Sequence, residues 1–508
     1  MKDLLKQYFG YEQFRPLQEE IINHVVQRND CFVLMPTGGG KSLCYQLPAL
    51  KFSGLTLVIS PLISLMKDQV DALRACGIKA EFINSSLSPK QITRICDQLK
   101  DNQVKILYIA PERFALNDFR NFLKGLPVSL IAVDEAHCIS EWGHDFRPDY
   151  RNLSLIKELF PETPLIALTA TATQKVREDI INQLRLQKAR VFISSFNRAN
   201  LRVSVVEKKQ AFPKLVGLLR KYRNESAIIY CFSRNDTETI AADLRANRFK
   251  ARAYHAGLKA SDRAAAQDLF IKDEVDIIVA TIAFGMGIDK PDVRLVVHYT
   301  YPKTLEGYYQ EIGRAGRDGL PSECVMFYTY ADTRKHEFFI NQIEDYSLQR
   351  RAREKLNEVT NFANLITCRK KYLLKYFGEE LGGDNCGGCD ICESWHNDPE
   401  PAGFEPEPAS RIEDYNKELF EELRVLRKHL ADREHVPPFI IFGDTALAEM
   451  AHYLPPDEES FGRINGVGAK KLEQFAAIFL AVINDFAQKH NLTPKDIPEK
   501  KRHNLLDF

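Results

Sequence analysis

The sequence predicts an α/β protein with two tandem parallel-sheet domains, a small helical cysteine module and an all-α bundle. Short apolar runs recur between helical patterns in the first part of the chain, at residues 31–34, 55–59, 105–109, 130–133 and 165–168. Strands of a parallel sheet are apolar throughout because helices cover both faces of the sheet. A second series of such runs follows at residues 227–231, 276–280, 295–298 and 324–328. We therefore expect two α/β domains in tandem.

Length and composition divide the chain further. A chain of 508 residues is too long for one hydrophobic core. After the second α/β domain the pattern becomes helical and charged, then acidic and proline-rich, then helical again. The predicted parts are residues 1–197 and 198–336 for the α/β domains, 337–393 for the cysteine module, 394–410 for a linker, 411–490 for the bundle and 491–508 for a tail.

The formal net charge is zero, but the charge is unevenly distributed. Residues 1–392 carry 55 basic and 47 acidic side chains, whereas residues 411–508 carry 14 and 17. The basic excess suits an anionic partner, although an ordinary surface would also show it. The N-terminus lacks a signal-like leader, and no apolar run reaches the length of a membrane span, about 18 residues. We expect a soluble cytoplasmic protein with no membrane partner.

A phosphate-binding loop is predicted directly after the first apolar run, where the chain reads M-P-T-G-G-G-K-S (Met35 to Ser42). Backbone amides of such a loop surround phosphates, the lysine reaches their outer oxygens and the hydroxyl holds magnesium. A glycine-rich turn before a helix is also a common structural feature, so a second site is needed. The candidate nucleotide ligands are Thr37, Gly38, Gly39, Gly40, Lys41 and Ser42.

Paired carboxylates supply that second site. Asp134 and Glu135 follow the apolar run at residues 130–133. Asp134 is predicted to share the magnesium ion with Ser42, and Glu135 to activate the attacking water. The alternative, two carboxylates that cap the next helix, is weaker because the strand context and the order match a phosphate-loop protein. ATP hydrolysis is the leading interpretation.

The second α/β domain offers cationic side chains that could complete the site. Gln310, Arg314 and Arg317 are spaced three or four residues apart, so we expect them on one face of a helix. An arginine delivered to the γ-phosphate would couple hydrolysis to domain closure. A surface ion-pair helix would use lysine as readily and would not need the neighbouring glycines.

An aromatic loop follows the paired carboxylates, at residues 140–150 (S-E-W-G-H-D-F-R-P-D-Y). Trp142, His144, Phe146 and Arg147 combine flat rings with a cation, as stacking on unpaired bases beside phosphates requires. A loop tucked against the domain would have a similar composition. Its position next to Glu135 favours the interpretation that the loop stacks on unpaired bases.

Four cysteines near the end of the helical module are spaced like metal ligands: Cys368, Cys386, Cys389 and Cys392. Four thiolates bind zinc tetrahedrally, and an iron–sulfur cluster remains an alternative. The basic residues Arg369, Lys370 and Lys371 could contact DNA or form a solvated helix face. The other seven cysteines lie in or beside apolar runs, where a buried thiol is the simpler interpretation.

Taken together, these motifs resemble the RecQ family of superfamily 2 DNA helicases over nearly the whole chain. Beyond the sites above, the resemblance rests on F-G-Y-E-Q-F-R-P-L-Q (9–18), S-P-L-I-S-L-M-K-D-Q (60–69), Y-I-A-P-E-R (108–113), L-T-A-T-A (168–172), A-T-I-A-F-G-M-G-I-D-K-P (280–291) and Y-Y-Q-E-I-G-R-A-G-R-D-G (308–319). The resemblance implies two RecA-like domains, structural zinc and 3′ to 5′ movement on DNA. It also implies adenine recognition by Tyr11, Arg15 and Gln18, and DNA backbone contacts from Ser60, Lys67, Arg113, Ser233, Arg234 and Asn235.

The chain departs from the family pattern after the cysteines. Many members carry a winged-helix domain there, of roughly a hundred residues, and this chain offers only the acidic linker. The last part resembles the HRDC (helicase-and-RNase-D C-terminal) module through residues 436–447 and 464–472. Its Gly466–Gly468 turn could present amides to a phosphate, yet the module is acidic overall. DNA binding and protein positioning remain equal alternatives.

The sequence as a whole predicts an ATP- and magnesium-dependent 3′ to 5′ DNA helicase of recombination and repair, associated with the nucleoid. We expect a monomer that acts on single-stranded and tailed duplex DNA and meets single-strand-binding or recombination proteins. An RNA helicase is disfavoured by the aromatic loop and the cysteines. An ATP-gated single-strand clamp or annealing scaffold stays open because the winged helix is missing.

Overall fold

The computed structural model describes residues 1–61, 63–143, 145–284, 290–383, 385–394, 414–434 and 436–497. The predicted linker 394–410, except Ser394, lies outside the described residues, as do His144 and the end of the predicted tail. By backbone contacts the chain forms two units, residues 14–404 and residues 1–13 with 405–508. This division differs from the predicted one, which grouped residues 1–13 with the first α/β domain.

The chain begins with a short helix, α1 (Lys2–Leu4), which continues into a π-helical turn, Leu5–Phe9. Both belong to the smaller unit. Gly10 ends the turn in the left-handed conformation (φ +72°), which glycine adopts without a steric penalty.

The first α/β domain contains a seven-stranded sheet in which every pair is parallel. Its strands are β1 (Cys31–Leu34), β2 (Leu55–Ile59), β3 (Ala80–Ile83), β4 (Ile106–Ile109), β5 (Val128–Val133), β6 (Leu165–Thr169) and β7 (Arg190–Ile193), in the order β3-β4-β2-β5-β6-β1-β7. Its helices are α2 (Gln18–Val26), α3 (Leu43–Lys51), α4 (Ile63–Ala75), α5 (Pro89–Lys100), α6 (Pro111–Ala115), α7 (Asn117–Lys124), α8 (Ile156–Leu159) and α9 (Gln174–Gln183). Two 3₁₀ segments, Ala136–Ile139 and Pro148–Leu155, frame the aromatic loop.

The second α/β domain repeats the architecture with six parallel strands in the order β10-β11-β9-β12-β13-β8. The strands are β8 (Leu201–Glu207), β9 (Ser226–Tyr230), β10 (Ala251–Tyr254), β11 (Ile277–Ala280), β12 (Val293–His298) and β13 (Ser322–Tyr328). The helices are α10 (Ala211–Lys221), α11 (Arg234–Ala246), α12 (Ala260–Ile271) and α13 (Leu305–Ile312).

The apolar-run criterion found the central strands and missed the edges. The four strands it missed, β3, β7, β8 and β10, are the outer strands of the two sheets. Each has partly or fully exposed positions, whereas β1, β2, β4, β6, β9, β11 and β12 are buried throughout. An edge strand has one neighbour and a solvent-facing side, so it need not be apolar throughout.

The rest of the described chain is helical. The cysteine module contains α14 (Tyr330–Ile340), α15 (Tyr346–Ala363), α16 (Arg369–Tyr376) and α17 (Asp390–Ser394). The smaller unit contains α18 (Lys417–Glu434), α19 (Pro438–Ile441), α20 (Asp444–Tyr453), α21 (Glu458–Phe461) and α22 (Ala469–Lys489), with a hydrophobic core of its own. Among the described residues, no helix combines the length and the hydropathy that crossing a bilayer requires.

Candidate functional site

The predicted phosphate loop joins β1 to α3 at the carboxyl edge of the first sheet. Gly38 and Gly40 have φ values of +80° and +81°, which only glycine adopts readily. Ser42 is the N-cap residue of α3, so the helix begins at Leu43. The loop therefore leads into the positive end of a helix, where an anion is stabilised.

Arg15 and Gln18 lie against this loop. The Arg15 guanidinium donates to the carbonyl oxygen of Gly38, and Gln18 Nε2 donates to the carbonyl oxygen of Gly40 at 3.1 Å. A Cβ on Gly40 would collide with Gln18 Nε2. Because the N–H and C=O of a trans peptide point in opposite directions, carbonyls held on one side turn the amides of the loop to the other side. Tyr11, the third predicted adenine residue, is 45% exposed and belongs to the smaller unit.

Lys41 also contacts the loop. Its Nζ donates to the carbonyl oxygens of Met35 at 3.2 Å and Pro36 at 3.3 Å. A phosphate group can replace these carbonyls because its charged oxygens are stronger acceptors for an ammonium group.

The paired carboxylates follow β5, two strands away from β1 in the sheet. Asp134 is 7% exposed, and burial, reinforced by the Glu135 charge, raises its pKa to about 7. A buried carboxyl group with a raised pKa is a suitable ligand for a cation that would restore its ionised form. Glu135 has a left-handed backbone (φ +47°), and its carboxylate lies 3.3 Å from His137 Nδ1.

The second domain reaches the phosphate loop directly. Around Gly38, an added Cβ would lie 3.1 Å from Arg198 Nη1 and 3.2 Å from the Cα and Cγ atoms of Arg317. An added Cβ on Gly313 would lie 3.0 Å from the Cβ of Thr37. Gly38 in the first domain and Gly313 in the second therefore let the backbone of each domain approach side chains of the other.

The expected common helix face for the three motif residues is wrong. Gln310 lies on α13, but this helix ends at Ile312, and Arg314 and Arg317 occupy the turns that follow. Gly316, with φ +54°, and Gly313 as the helix C-cap break the helical path. Arg314 is 3% exposed and is held inside the second domain, whereas Arg317 packs against Gly38.

Arg198 was missed by the sequence analysis, which saw only a domain boundary there. Its guanidinium donates to the carbonyl oxygens of Thr37 at 2.5 Å, Ala315 at 3.1 Å and Gly316 at 2.7 Å. Burial lowers its pKa, and the guanidinium groups of Arg317 and Arg15 act in the same direction. Three arginines that converge on one loop repel one another, so an anion bound there would stabilise the arrangement.

The aromatic loop is attached to the carboxylates through the backbone. The N–H of Arg147 donates to the carbonyl oxygen of Cys138 at 2.9 Å, and the Tyr150 hydroxyl donates to that of Asp134 at 3.0 Å. Arg147 Nη1 also donates to Pro61 O at 3.1 Å. The guanidinium carbon of Arg151 lies over the ring of Phe146, 5.1 Å from the ring centroid. A shift of this loop would therefore displace the backbone of Asp134.

Trp142 is held between two cations. Lys175 Nζ lies 3.0 Å from its ring centroid and the Arg351 guanidinium carbon 3.6 Å from it. Lys355 Nζ donates to the Trp142 carbonyl oxygen at 3.4 Å. Since Arg351 and Lys355 belong to α15, the cysteine module holds the aromatic loop, a contact that no sequence motif signalled.

The other predicted DNA contacts differ in exposure. Lys67, Arg234 and Asn235 are exposed, whereas Ser60 is 1% exposed. Ser233 caps α11, and its side chain accepts a hydrogen bond from the Asp236 N–H. The Arg113 guanidinium lies 4.9 Å from the ring centroid of Phe119. Contact of these six residues with DNA remains a prediction.

The four cysteines converge as predicted. Their sulfur atoms all lie within 4.8 Å of one another. Three of them accept backbone N–H bonds, Cys368 from Lys371 at 3.4 Å, and Cys389 and Cys392 at 3.5 Å. Such bonds orient and stabilise thiolates in metal sites, so the residues fit a tetrahedral zinc ion.

The cysteine module covers the edge strand β8. The N–H of Val203 donates to Gly388 O at 3.0 Å, and the N–H of Val205 donates to Asp390 Oδ2 at 3.1 Å. Arg369 and Lys370, considered above as possible DNA contacts, are only 5% and 6% exposed. Their burial contradicts both interpretations, contact with DNA and a solvated helix face, for these two side chains.

Both buried cations serve internal contacts. Arg369 Nε donates to Asp390 Oδ1 at 2.6 Å, and Lys370 Nζ donates to the carbonyl oxygen of Arg198 at 3.1 Å. The zinc site is thereby connected to the arginine that holds the phosphate loop.

Comparison with protein families assigns four regions of the chain. Residues 15–180 match the DEAD/DEAH box helicase family, 207–319 the helicase conserved C-terminal domain, 330–393 the RecQ zinc-binding family and 416–483 the HRDC domain. Residues 394–415, between the last two, are too few for a winged-helix domain of about a hundred residues.

Similar proteins extend over nearly the whole chain. Proteins named ATP-dependent DNA helicase RecQ are 38% identical in Haemophilus influenzae (95% of this chain and 95% of that protein), 39% in Pasteurella multocida (98% and 95%) and 36% in Bacillus subtilis (96% and 99%).

Solved structures show the same fold at lower identity. The helicase Lhr from Mycobacterium smegmatis, bound to single-stranded DNA and AMP-PNP, superposes with a TM-score of 0.54 at 22% identity, over 66% of this chain and 48% of that one. S. cerevisiae Dbp5, bound to RNA and ADP BeF3, superposes with a TM-score of 0.53 at 17% identity, over 68% of this chain and 95% of that one. The chain belongs to the RecQ family of ATP-dependent DNA helicases and includes an HRDC domain.

Proposed function

We propose that this helicase moves 3′ to 5′ on single-stranded DNA and unwinds tailed duplexes in recombination and repair. The observation that carries the proposal is the approach of Arg198 and Arg317, both from beyond the first α/β domain, to Gly38 of the phosphate loop. A site built from two domains changes when the domains separate, so ATP turnover and domain motion are coupled.

Within the nucleotide site, we assign roles by position. Gly38, Gly39, Gly40 and Thr37 present the loop backbone, and Lys41 exchanges its carbonyl partners for phosphate oxygens. Glu135 accepts a proton from the attacking water. Arg317 and Arg198 stabilise charge that develops on the transferred phosphoryl group, while Gln310 and Arg314 position the turn that carries Arg317.

Magnesium would be held by Ser42 and Asp134, where it would neutralise phosphate charge in the transition state. The buried Asp134 carboxyl, with its raised pKa, supports the assignment. Adenine selection is assigned to Tyr11, Arg15 and Gln18.

DNA sensing is assigned to the aromatic loop. Trp142, Phe146 and Arg147 would contact unpaired bases and phosphates, with His144 outside the described residues. A base that stacks on Trp142 must displace Lys175 or Arg351 from its ring. Displacement would shift a loop that is hydrogen-bonded to Cys138 and Asp134, and DNA binding would thus alter the hydrolytic site.

A second candidate is an ATP-gated clamp that holds or anneals single strands with little unwinding. It is favoured by the short interval between the zinc-binding and HRDC matches, since no wing is available there to split a duplex. Partner proteins and a monomeric state belong with either candidate as proposals.

Strand release from a 3′-tailed duplex separates the candidates. We expect ATP-dependent release by the full-length protein, no release of a 5′-tailed duplex and none with Lys41→Ala. DNA-stimulated ATP hydrolysis without release of either substrate would reject the helicase mechanism and leave the clamp. Release of the 5′-tailed substrate alone would reject the proposed direction.

A further inference from the structure

The Gly466–Gly468 turn at the start of α22 is occupied by the chain's own N-terminal segment. The N–H of Gly466 donates to the carbonyl oxygen of Gly10 at 2.9 Å. An added Cβ on Gly468, the N-cap residue of α22, would lie 3.2 Å from Gln7 O and 3.3 Å from Tyr8 O. Carbonyl oxygens at the end of the π-helical turn, Leu5–Phe9, therefore lie beside the N-cap residue of a 21-residue helix.

The electrostatics of this contact are complementary. The last carbonyls of a helical turn carry partial negative charge, and the first amides of a long helix carry partial positive charge. A phosphate at this turn would compete with the segment for the Gly466 amide. The N-terminal segment thus occupies the place where the sequence predicted an anion.

The packing is specific for glycine on the N-terminal side. An added Cβ on Gly10 would lie 2.5 Å from the Gly466 carbonyl carbon, 2.5 Å from the Val467 nitrogen and 2.6 Å from the Gly468 nitrogen. All three atoms are backbone, so no side-chain rotation relieves the clash. The Gly10 φ of +72° adds a conformational cost for any other residue.

The Lys6 and Glu12 side chains pair at 3.0 Å across the segment, on either side of Gly10. Leu5 is fully buried, and the π-helical turn packs against α22. Residues 5–10 therefore form a compact element with both a buried anchor and a backbone hydrogen bond to the turn.

We propose that the Gly466–Gly468 turn of the HRDC domain is a docking site for residues 5–10 of the same chain, and that this docking shields the turn from DNA phosphate. The domain then acts as an anchor for the segment that precedes Tyr11 in the adenine motif. Lys470 and Lys471, at the start of α22, can support phosphate binding at the turn only after the segment leaves it.

Hydrogen exchange of the full-length protein tests the docking. In Gly10→Ala, we expect exchange at Gly466 to accelerate about tenfold or more, because its acceptor is lost. Gly443→Ala is the matched control, since Gly443 has an ordinary φ of −72° and no atom within 4 Å of an added Cβ. The HRDC core, which does not include Gly10, should keep its protection in both variants. Unchanged exchange at Gly466 in Gly10→Ala would overturn the docking.

Binding of a fluorescent single-stranded oligonucleotide without nucleotide tests the shielding. We expect Gly10→Ala to bind severalfold more tightly than the wild type and Gly443→Ala to bind equally. The gain should disappear when Lys470→Ala and Lys471→Ala are added. Faster exchange with no gain in DNA affinity would overturn the shielding. Neither measurement depends on ATP hydrolysis or unwinding, so failure here is distinguishable from failure of the proposed function.

Discussion

Two glycine turns in this protein precede helices and differ in what lies against them. At Gly38–Gly40, side chains of Arg15, Gln18 and Arg198 bind loop carbonyls. At Gly466–Gly468, a backbone carbonyl of Gly10 binds an amide. In the first turn the side chains hold carbonyls and leave the loop amides to face an anion. In the second turn the Gly466 amide already has an acceptor. Glycines before a helix do not distinguish these cases, because the partners come from distant parts of the chain.

The largest effect should come from removing a buried ion pair in the domain that carries the second turn. Arg427 is fully buried and donates to Asp444 Oδ1 and to Phe442 O, both at 2.8 Å. Arg427→Ala would strand the Asp444 carboxylate, which is 3% exposed, and lower the free energy of unfolding of the HRDC domain by about 3–5 kcal/mol. Urea unfolding followed by hydrogen exchange in α18–α22 measures this. Lys428→Ala, which removes a partly exposed pair with Asp432 at 3.9 Å, should cost less than about 1 kcal/mol. Equal costs for the two variants would contradict the prediction.

Removing the cation of the first turn should have the next largest effect. Lys41→Ala is expected to lower DNA-stimulated ATP hydrolysis by about 10²–10³-fold, because charge on the transferred group loses a positioned donor. Steady-state phosphate release checks it. Lys51→Ala, at the exposed end of the same helix, is the control and should retain full activity. Activity of Lys41→Ala near the control would remove the assignment of this loop.

Arg198→Ala tests whether the first turn depends on the second domain. The loss of hydrogen bonds to Thr37, Ala315 and Gly316 should lower kcat/KM for ATP by about 10- to 100-fold. Arg190→Ala, an exposed arginine on β7 paired with Glu20, should have no effect. Equal kinetics for the two variants would show that the phosphate loop is organised by the first domain alone.

Alanine at glycines of similar φ separates backbone strain from a steric clash. Gly466 and Gly40 share a positive φ, +88° and +81°, but an added Cβ meets nothing within 4 Å at Gly466 and collides with Gln18 at Gly40. Gly466→Ala should cost only left-handed strain, about 1–2 kcal/mol of stability, and leave KM for ATP unchanged. Gly40→Ala should add a severalfold increase in KM. Gly319→Ala, with φ +89° and open space, controls for strain in the larger unit; an equal KM increase there would mean that strain, and not the clash, is responsible.

The smallest expected effect is a pH dependence at Asp134. Burial raises its pKa to about 7 in the metal-free protein, above its unfolded value of about 3.9. The protonated form therefore stabilises the metal-free fold below pH 4, and this contribution is lost as pH rises through 7. Magnesium competes with the proton, so its affinity in the presence of ATP should fall up to tenfold per pH unit below 7. Titration of the wild type between pH 6 and 8 measures this, and Asp134→Asn should keep only the shallower slope that the terminal phosphate of ATP contributes.

Local sequence was sufficient where the chemistry is local. The central strands, the phosphate loop after β1 and the carboxylates after β5 were predicted because burial on both faces leaves a continuous apolar run and because each motif is contiguous. The convergence of the four cysteines followed from the fixed ligand number of zinc. The helix expected through Arg314 and Arg317 was wrong because the glycines between them end α13 at Ile312.

The two-sheet architecture, the family and the residue types of each site could thus be predicted without coordinates. Four contacts became visible in the folded chain alone: Arg198 and Arg317 reach Gly38, Lys370 connects the cysteine module to Arg198, α15 holds Trp142, and Gly10 occupies the HRDC turn. Each of these contacts joins residues far apart in the chain through a backbone carbonyl, a backbone amide or an aromatic face. Such groups occur at many positions in the chain, so no sequence pattern marks the ones that meet.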